Sequence, residues 1–130
     1  MTKKTKPQKM PKFIPAPAQI VTLFHKNVDG LPNVELRKMF GYPCAFINGQ
    51  MLTGVFANHI MLRLSEEDRT RIIQTKRARQ FEPTPGRPMR EYVELSEEVI
   101  RSKTEFNEWL IKGVEYVNSL PPKIKEKRRK

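Results

Sequence analysis

The stretch Cys44-Ala-Phe-Ile-Asn-Gly-Gln-Met-Leu-Thr-Gly-Val-Phe-Ala-Asn-His-Ile-Met-Leu-Arg-Leu64 decides the architecture. It holds three short apolar runs too close together for helices to lie between them. Asn48-Gly49 separates the first two, and a type I′ turn needs positive φ at both central residues, which Asn and Gly tolerate best. This is the strongest hairpin signal in the chain. A second turn at Asn58-His59 sends the run 60–64 back along 50–57. Three consecutive strands joined this tightly must be antiparallel, since a parallel neighbour needs a crossover of a dozen residues or more.

Working outward, Val34, Leu36, Lys38 and Phe40 alternate with Glu35, Arg37 and Met39, predicting a further strand with one wet face before Gly41 and Pro43 interrupt the pattern. Ahead of it, Ile20, Val21, Leu23, Phe24 and Val28 recur at helical spacing between Ala18 and Val28, and Asp29-Gly30 supplies the stop. Downstream, Ser65-Glu-Glu-Asp68 is a capping box for a helix running to about Thr75. Arg79–Glu82 and Met89–Leu95 form another hairpin around Pro83-Thr-Pro-Gly-Arg-Pro88, whose prolines confine it to a projecting loop. A helical turn at Ser96–Arg101 leads to a second capping box, Ser102-Lys-Thr-Glu105. Phe106, Trp109, Leu110, Gly113, Val114 and Val117 then line one face of the last helix. The order predicts an α+β fold, a mostly antiparallel sheet of about five to six strands packed against N-terminal and C-terminal helices. Met39, Phe40, Phe46, Met51, Phe56 and Met61 read as core.

The chain has 130 residues, with 25 Lys and Arg against 14 Asp and Glu and a formal net charge of +11. Residues 1–12 contain Lys3, Lys4, Lys6, Lys9 and Lys12 and no acid. Residues 121–130 contain Lys123, Lys125, Lys127, Arg128, Arg129 and Lys130 against Glu126 alone. The stretch between is nearly neutral. Segments 1–17 and 121–130, rich in Lys and Pro and poor in large apolar side chains, are expected to be disordered, leaving 18–120 as a single domain. One cysteine excludes an internal disulfide and a multi-cysteine zinc site, and fits a reducing cytosol. No run reaches the length of a membrane span, and no apolar segment follows the first lysines to make a signal peptide. A cytoplasmic protein with no membrane partner is expected.

No phosphate loop, nucleophile elbow or metal-ligand spacing is present, so no cofactor, metal or catalytic residue is expected and the chain reads as non-enzymatic. Cys44 sits mid-strand among apolar neighbours, where an inert thiol is the ordinary case. His25 and His59 match no triad or ligand spacing. Glu66, Glu67 and Asp68, like Glu97 and Glu98, complement helix dipoles. Arg69, Arg71, Lys76, Arg77 and Arg79, with Arg87 and Arg90, would form a basic patch if they shared a face. The plainer account is charge that favours a helix C-terminus and solubility.

Arg37-Lys-Met-Phe-Gly41, an apolar strand, Asn48-Gly49, a second apolar strand and Leu62-Arg-Leu64 together resemble the N-terminal domain of the TfoX competence-regulator family, also called Sxy. Phe81-Glu-Pro, Gly86-Arg-Pro-Met89, Tyr92-Val-Glu-Leu95 and a closing helix with Trp109 agree in order and spacing, over roughly residues 18 to 120. Met39-Phe40-Gly41-Tyr42 departs from the family's Met-Phe-Gly-Gly pattern, which places the chain in a separate subgroup. The resemblance implies a stand-alone TfoX N-terminal domain of bacterial origin, a regulatory or nucleic-acid-associated accessory factor. On that reading the lysines and arginines of both ends make sequence-nonspecific phosphate contacts. The alternative is a protein-interaction module in which a sheet edge or the Pro83–Pro88 loop docks a partner or a second copy, with the ends serving solubility. An enzyme using Cys44 or His59 ranks last.

Overall fold

In the computed structural model, which describes residues 15–121, ten elements follow the predicted order. They are α1 (Ala18–Val28), β1 (Glu35–Met39), β2 (Tyr42–Ile47), β3 (Gln50–Phe56), β4 (His59–Arg63), α2 (Glu66–Gln74), β5 (Ala78–Gln80), β6 (Tyr92–Leu95), α3 (Glu97–Arg101) and α4 (Lys103–Ser119). The six strands form one sheet in the order β1-β2-β3-β4-β6-β5, with every neighbouring pair antiparallel. The α+β expectation holds.

Asn48 and Gly49 both take positive φ, 54° and 80°, and join β2 to β3 through the closing pair Ile47 and Gln50. Phe40 and Gly41 do the same at 55° and 85°, closed by Met39 and Tyr42. What reads as an interruption at Gly41 is therefore a tight hairpin turn, hidden because Phe rarely accepts positive φ. The third turn is centred on Ala57-Asn58, and His59 is the first residue of β4 opposite Phe56, one position later than the turn predicted from Asn58-His59.

One face of the sheet meets the helices. Ile20, Phe24 and Val28 of α1, Phe106, Leu110 and Val117 of α4, and Val99 and Ile100 of α3 pack with Ala45, Ile47, Leu52, Ile60, Leu62, Val93 and Leu95 in one continuous core. Ser65, Ser96 and Ser102 cap α2, α3 and α4, each accepting the backbone N–H three residues on. Across the opposite face, residues 81–91 fold back rather than project as a whole. Phe81 and Met89 pack on Met61 and Tyr92 beside Met51 and Phe56, and the Gln80 side chain donates to the Met89 carbonyl at 2.8 Å. Only the tip, residues 84–88, is exposed throughout.

The core reading needs two corrections. Phe46 and Met61 are buried, but Met39 is 38 % exposed and Phe40 is 83 % exposed. Both lie at the rim of the sheet, past the area the helices cover. For the same reason β1 has no dry face, and all five of its residues are exposed.

Candidate functional site

Three places in the described residues combine chemistry with exposure: the β1 edge, a cleft at the His59 end of the sheet, and the basic residues near α2. The cleft, of about 720 Å³, lies between the start of α1, the end of α2 and the junction of β6 with α3, and its walls include Ile20, His59, Lys76, Arg79, Glu94 and Arg101. Glu94 is its central acid, with a side chain only 14 % exposed. Its Oε2 lies 2.9 Å from His59 Nδ1 and accepts from Arg79 Nη2 at 3.0 Å. Glu94 faces Met61 on β4 and Arg79 on β5, and His59 lies two residues before Met61, so the three side chains share one sheet face. The group is a cross-strand latch tying β4, β6 and β5 together. Sequence reading missed it because the partners are 15 and 35 residues apart with no spacing signal.

Cys44 is buried, and its thiol points toward the Tyr42 carbonyl at 3.8 Å. Burial pushes its pKa up, against weaker opposing pulls from backbone hydrogen bonds at Met39 and Val55. The thiol is thus kept protonated and poorly nucleophilic. His25 lies on α1, its Nδ1 3.6 Å from Asp29 Oδ1. Among the described residues no group of three His, Cys, Asp or Glu side chains is placed to hold a metal ion. None of their helices is long and apolar enough to cross a membrane.

The basic residues in and just after α2 do not converge on one open patch. Arg77 pairs with Glu98 at 2.9 Å and Glu105 at 3.0 Å, Arg79 with Glu94, and Arg71 with Glu67 and Asp68. Arg69 donates to the Leu64 carbonyl. Arg87 and Arg90 stand exposed on the 81–91 loop. The residues expected to contact phosphate, Lys3, Lys4, Lys6, Lys9 and Lys12 with Lys123, Lys125, Lys127, Arg128, Arg129 and Lys130, lie outside the described residues. The described chain starts at the cleft end, where Pro17 meets the same cavity as Asn58 and His59. It finishes at the other end of β3, where the Gln50 side chain donates to the Pro121 carbonyl at 2.8 Å.

Among the described residues the β1 edge is the least covered part of the sheet, and β1 pairs there with β2 on one side only. Leu36 is 44 % exposed, and the Arg37 guanidinium pairs with Glu35 at 3.1 Å while lying 4.7 Å from the centre of the Phe46 ring. The other edge strand, β5, is three residues long and is followed by the chain that folds back over the sheet. Nature commonly blunts an edge by such shortness or cover, whereas β1 is five residues long and exposed at every one of them.

A family model for the TfoX N-terminal domain matches residues 26–116, from the end of α1 through all six strands to most of α4. The chain belongs to the TfoX N-terminal domain family. No curated protein matches it. Within this TfoX N-terminal domain the matched span contains the whole β1 edge, the Glu94 latch and the buried Cys44, and leaves both Lys-rich ends outside.

Proposed function

We propose that this TfoX N-terminal domain is a non-enzymatic interaction module whose docking site is the outer edge of β1. The observation that carries the reading is a five-residue edge strand, wholly exposed, ending in the bare Phe40 ring at its hairpin tip. A partner strand added there gains main-chain hydrogen bonds for affinity, and Leu36, Met39 and Phe40 supply the apolar contacts that select it. The test is a photo-cross-linking side chain placed at Lys38 in cells, with Lys103 on the exposed start of α4 as control. Adducts at position 38 that exceed those at 103 and vanish when Leu36→Pro is added support the reading. Equal yields at the two positions overturn it.

A second reading, a nucleic-acid accessory factor, is favoured by a separate observation. The bases around α2 are largely held by acids of the domain, so the excess charge sits in the two Lys-rich ends, attached at opposite ends of β3. Contacts of this kind release counterions and give affinity that falls steeply with salt. The full chain is expected to bind a mixed-sequence duplex with a steep negative salt slope, and a chain trimmed to residues 15–121 to lose most of that slope. Equal slopes would remove the ends from the account.

A further inference from the structure

We infer that the strand docked on β1 is β1 of a second copy, in one register, with a two-fold axis at Leu36. This rests on the reading of β1 as a docking edge and names its partner.

The hydrogen-bonding geometry limits the choices first. Met39 and Tyr42 close a two-residue turn, so they form a hydrogen-bonded pair, and the pairs alternate along the ladder. Arg37 with Cys44 and Glu35 with Phe46 are then hydrogen-bonded pairs, whereas Lys38 with Pro43 and Leu36 with Ala45 are not. Pro43 fits this phase, because a residue without an N–H stands opposite Lys38 where none is needed. The backbone groups of Leu36 and Lys38, with Val34 next in the same phase, therefore point away from the sheet. An antiparallel copy must pair even-numbered residues with even-numbered ones.

Charge selects among the remaining registers. An axis at Arg37 sets Arg37 against the partner's Arg37, and an axis at Glu35 sets two carboxylates face to face. Like charges directly opposite are unfavourable. An axis at Leu36 sets Glu35 against the partner's Arg37 and Arg37 against the partner's Glu35, so the pairing already present within one chain is repeated across the interface. Leu36 meets the partner's Leu36 on the face where Ala45 joins the helix-covered core, which extends that apolar surface across the axis. The same register carries the exposed Phe40 ring toward the partner's Leu31-Pro32 turn. Lys38 pairs with the partner's Val34, and the interface is isologous, as a closed dimer requires.

The experiment uses the full chain and reads both mass and register. Sedimentation up to ~1 mM is expected to show a concentration-dependent doubling of mass. Leu36→Pro, which removes an outward-facing N–H together with the apolar side chain at the axis and leaves the β1–β2 hydrogen bonds in place, and Arg37→Glu, which makes four like charges at the axis, are each expected to abolish the doubling. The charge-exchanged double variant Glu35→Arg with Arg37→Glu is expected to restore it. Single cysteines at 35, 36 and 37 in a Cys44→Ala chain, which removes the thiol opposite position 37, then fix the register, since opposed residues in a hydrogen-bonded pair lie about 5.5 Å apart at Cα, within disulfide reach. Only Leu36→Cys should oxidise rapidly to a covalent dimer. A chain monomeric throughout, or preferential cross-linking from position 35 or 37, overturns the proposal. If the chain is monomeric and the probe at Lys38 captures a different protein, the second copy is the wrong partner and the docking edge stands. If the probe captures nothing above control, the docking edge falls as well.

Discussion

Tyr92 and Cys44 lie on the face of the sheet turned away from the helices, and both hold a proton that burial makes hard to lose. The Tyr92 hydroxyl donates to the Met51 carbonyl at 3.0 Å. Burial raises its pKa from 10.0 to about 12, the nearby Arg63 guanidinium pulling the other way. An acid whose pKa is higher in the folded state contributes stability that is complete below the unfolded value and is lost as pH rises through the folded one. For Tyr92 that window runs from 10.0 to about 12, worth about 3 kcal/mol when crossed. Cys44 acts in the same direction above its ordinary 9.0. Urea unfolding midpoints are expected to fall progressively above pH 9, and Tyr92→Phe to flatten the upper part of that fall at the cost of one hydrogen bond. A flat profile in the wild-type chain would mean that neither group is buried as described. Gly54, directly between Cys44 and Met61, is a steric counterpart: a methyl group added there would sit 2.8 Å from Cys44 Sγ and 3.1 Å from Met61 Cε. Gly54→Ala is expected to cost about 1–3 kcal/mol, and Cys44→Ala in the same chain to recover part of it. A double-mutant cycle in urea with no coupling would remove the contact from the explanation.

Among the elements, α4 shows how packing overrides local preference. Gly113 sits mid-helix, where glycine costs about 1 kcal/mol relative to alanine. Its reason is proximity. A Cβ there would lie 2.9 Å from the Arg63 carbonyl and 3.0 Å from methyl groups of Leu52 and Leu62, so α4 crosses β3 and β4 nearly backbone to backbone. Gly113→Ala is therefore expected to lower the thermal midpoint despite its better helix propensity, and a rise would show that α4 can shift without loss. Gly113 was legible in the sequence as part of the buried stripe because its spacing from Phe106 and Val117 is helical. The caps at Ser65 and Ser102 and the Asn48-Gly49 turn were legible for a similar reason, each being a local device with a residue suited to it. The Phe40-Gly41 turn was not, since its first residue is a poor one for the conformation it adopts. Nor could alternation alone show that β1 lies beyond the helices. A half-buried strand and an exposed edge strand share the same period, and only the sheet order distinguishes them.

At the scale of the molecule, the helix-side core of the described residues draws on all four helices and on every strand from β2 to β6. Many acids and bases of this body pair across its surface, from Arg77 with Glu98 at 2.9 Å to Arg101 with Glu97 at 2.8 Å. Exposed pairs of this kind contribute little each, about 0–1 kcal/mol, and salt weakens them. Acids and bases are nearly equal in number in this body, so the net +11 of the chain belongs mostly to the Lys-rich ends. Stability and charge are thus separable. Trimming the chain to residues 15–121 is expected to shift the thermal midpoint by no more than about 2 °C at moderate salt, because every core side chain named above is kept and a shift of 4–8 °C corresponds to about 1 kcal/mol in a domain of this size. The trimmed chain should also elute from a cation-exchange column far earlier than the full one. A midpoint lower by about 8 °C or more would show that the ends bear on the domain itself, and the assignment of folding to the body and charge to the ends would then fail.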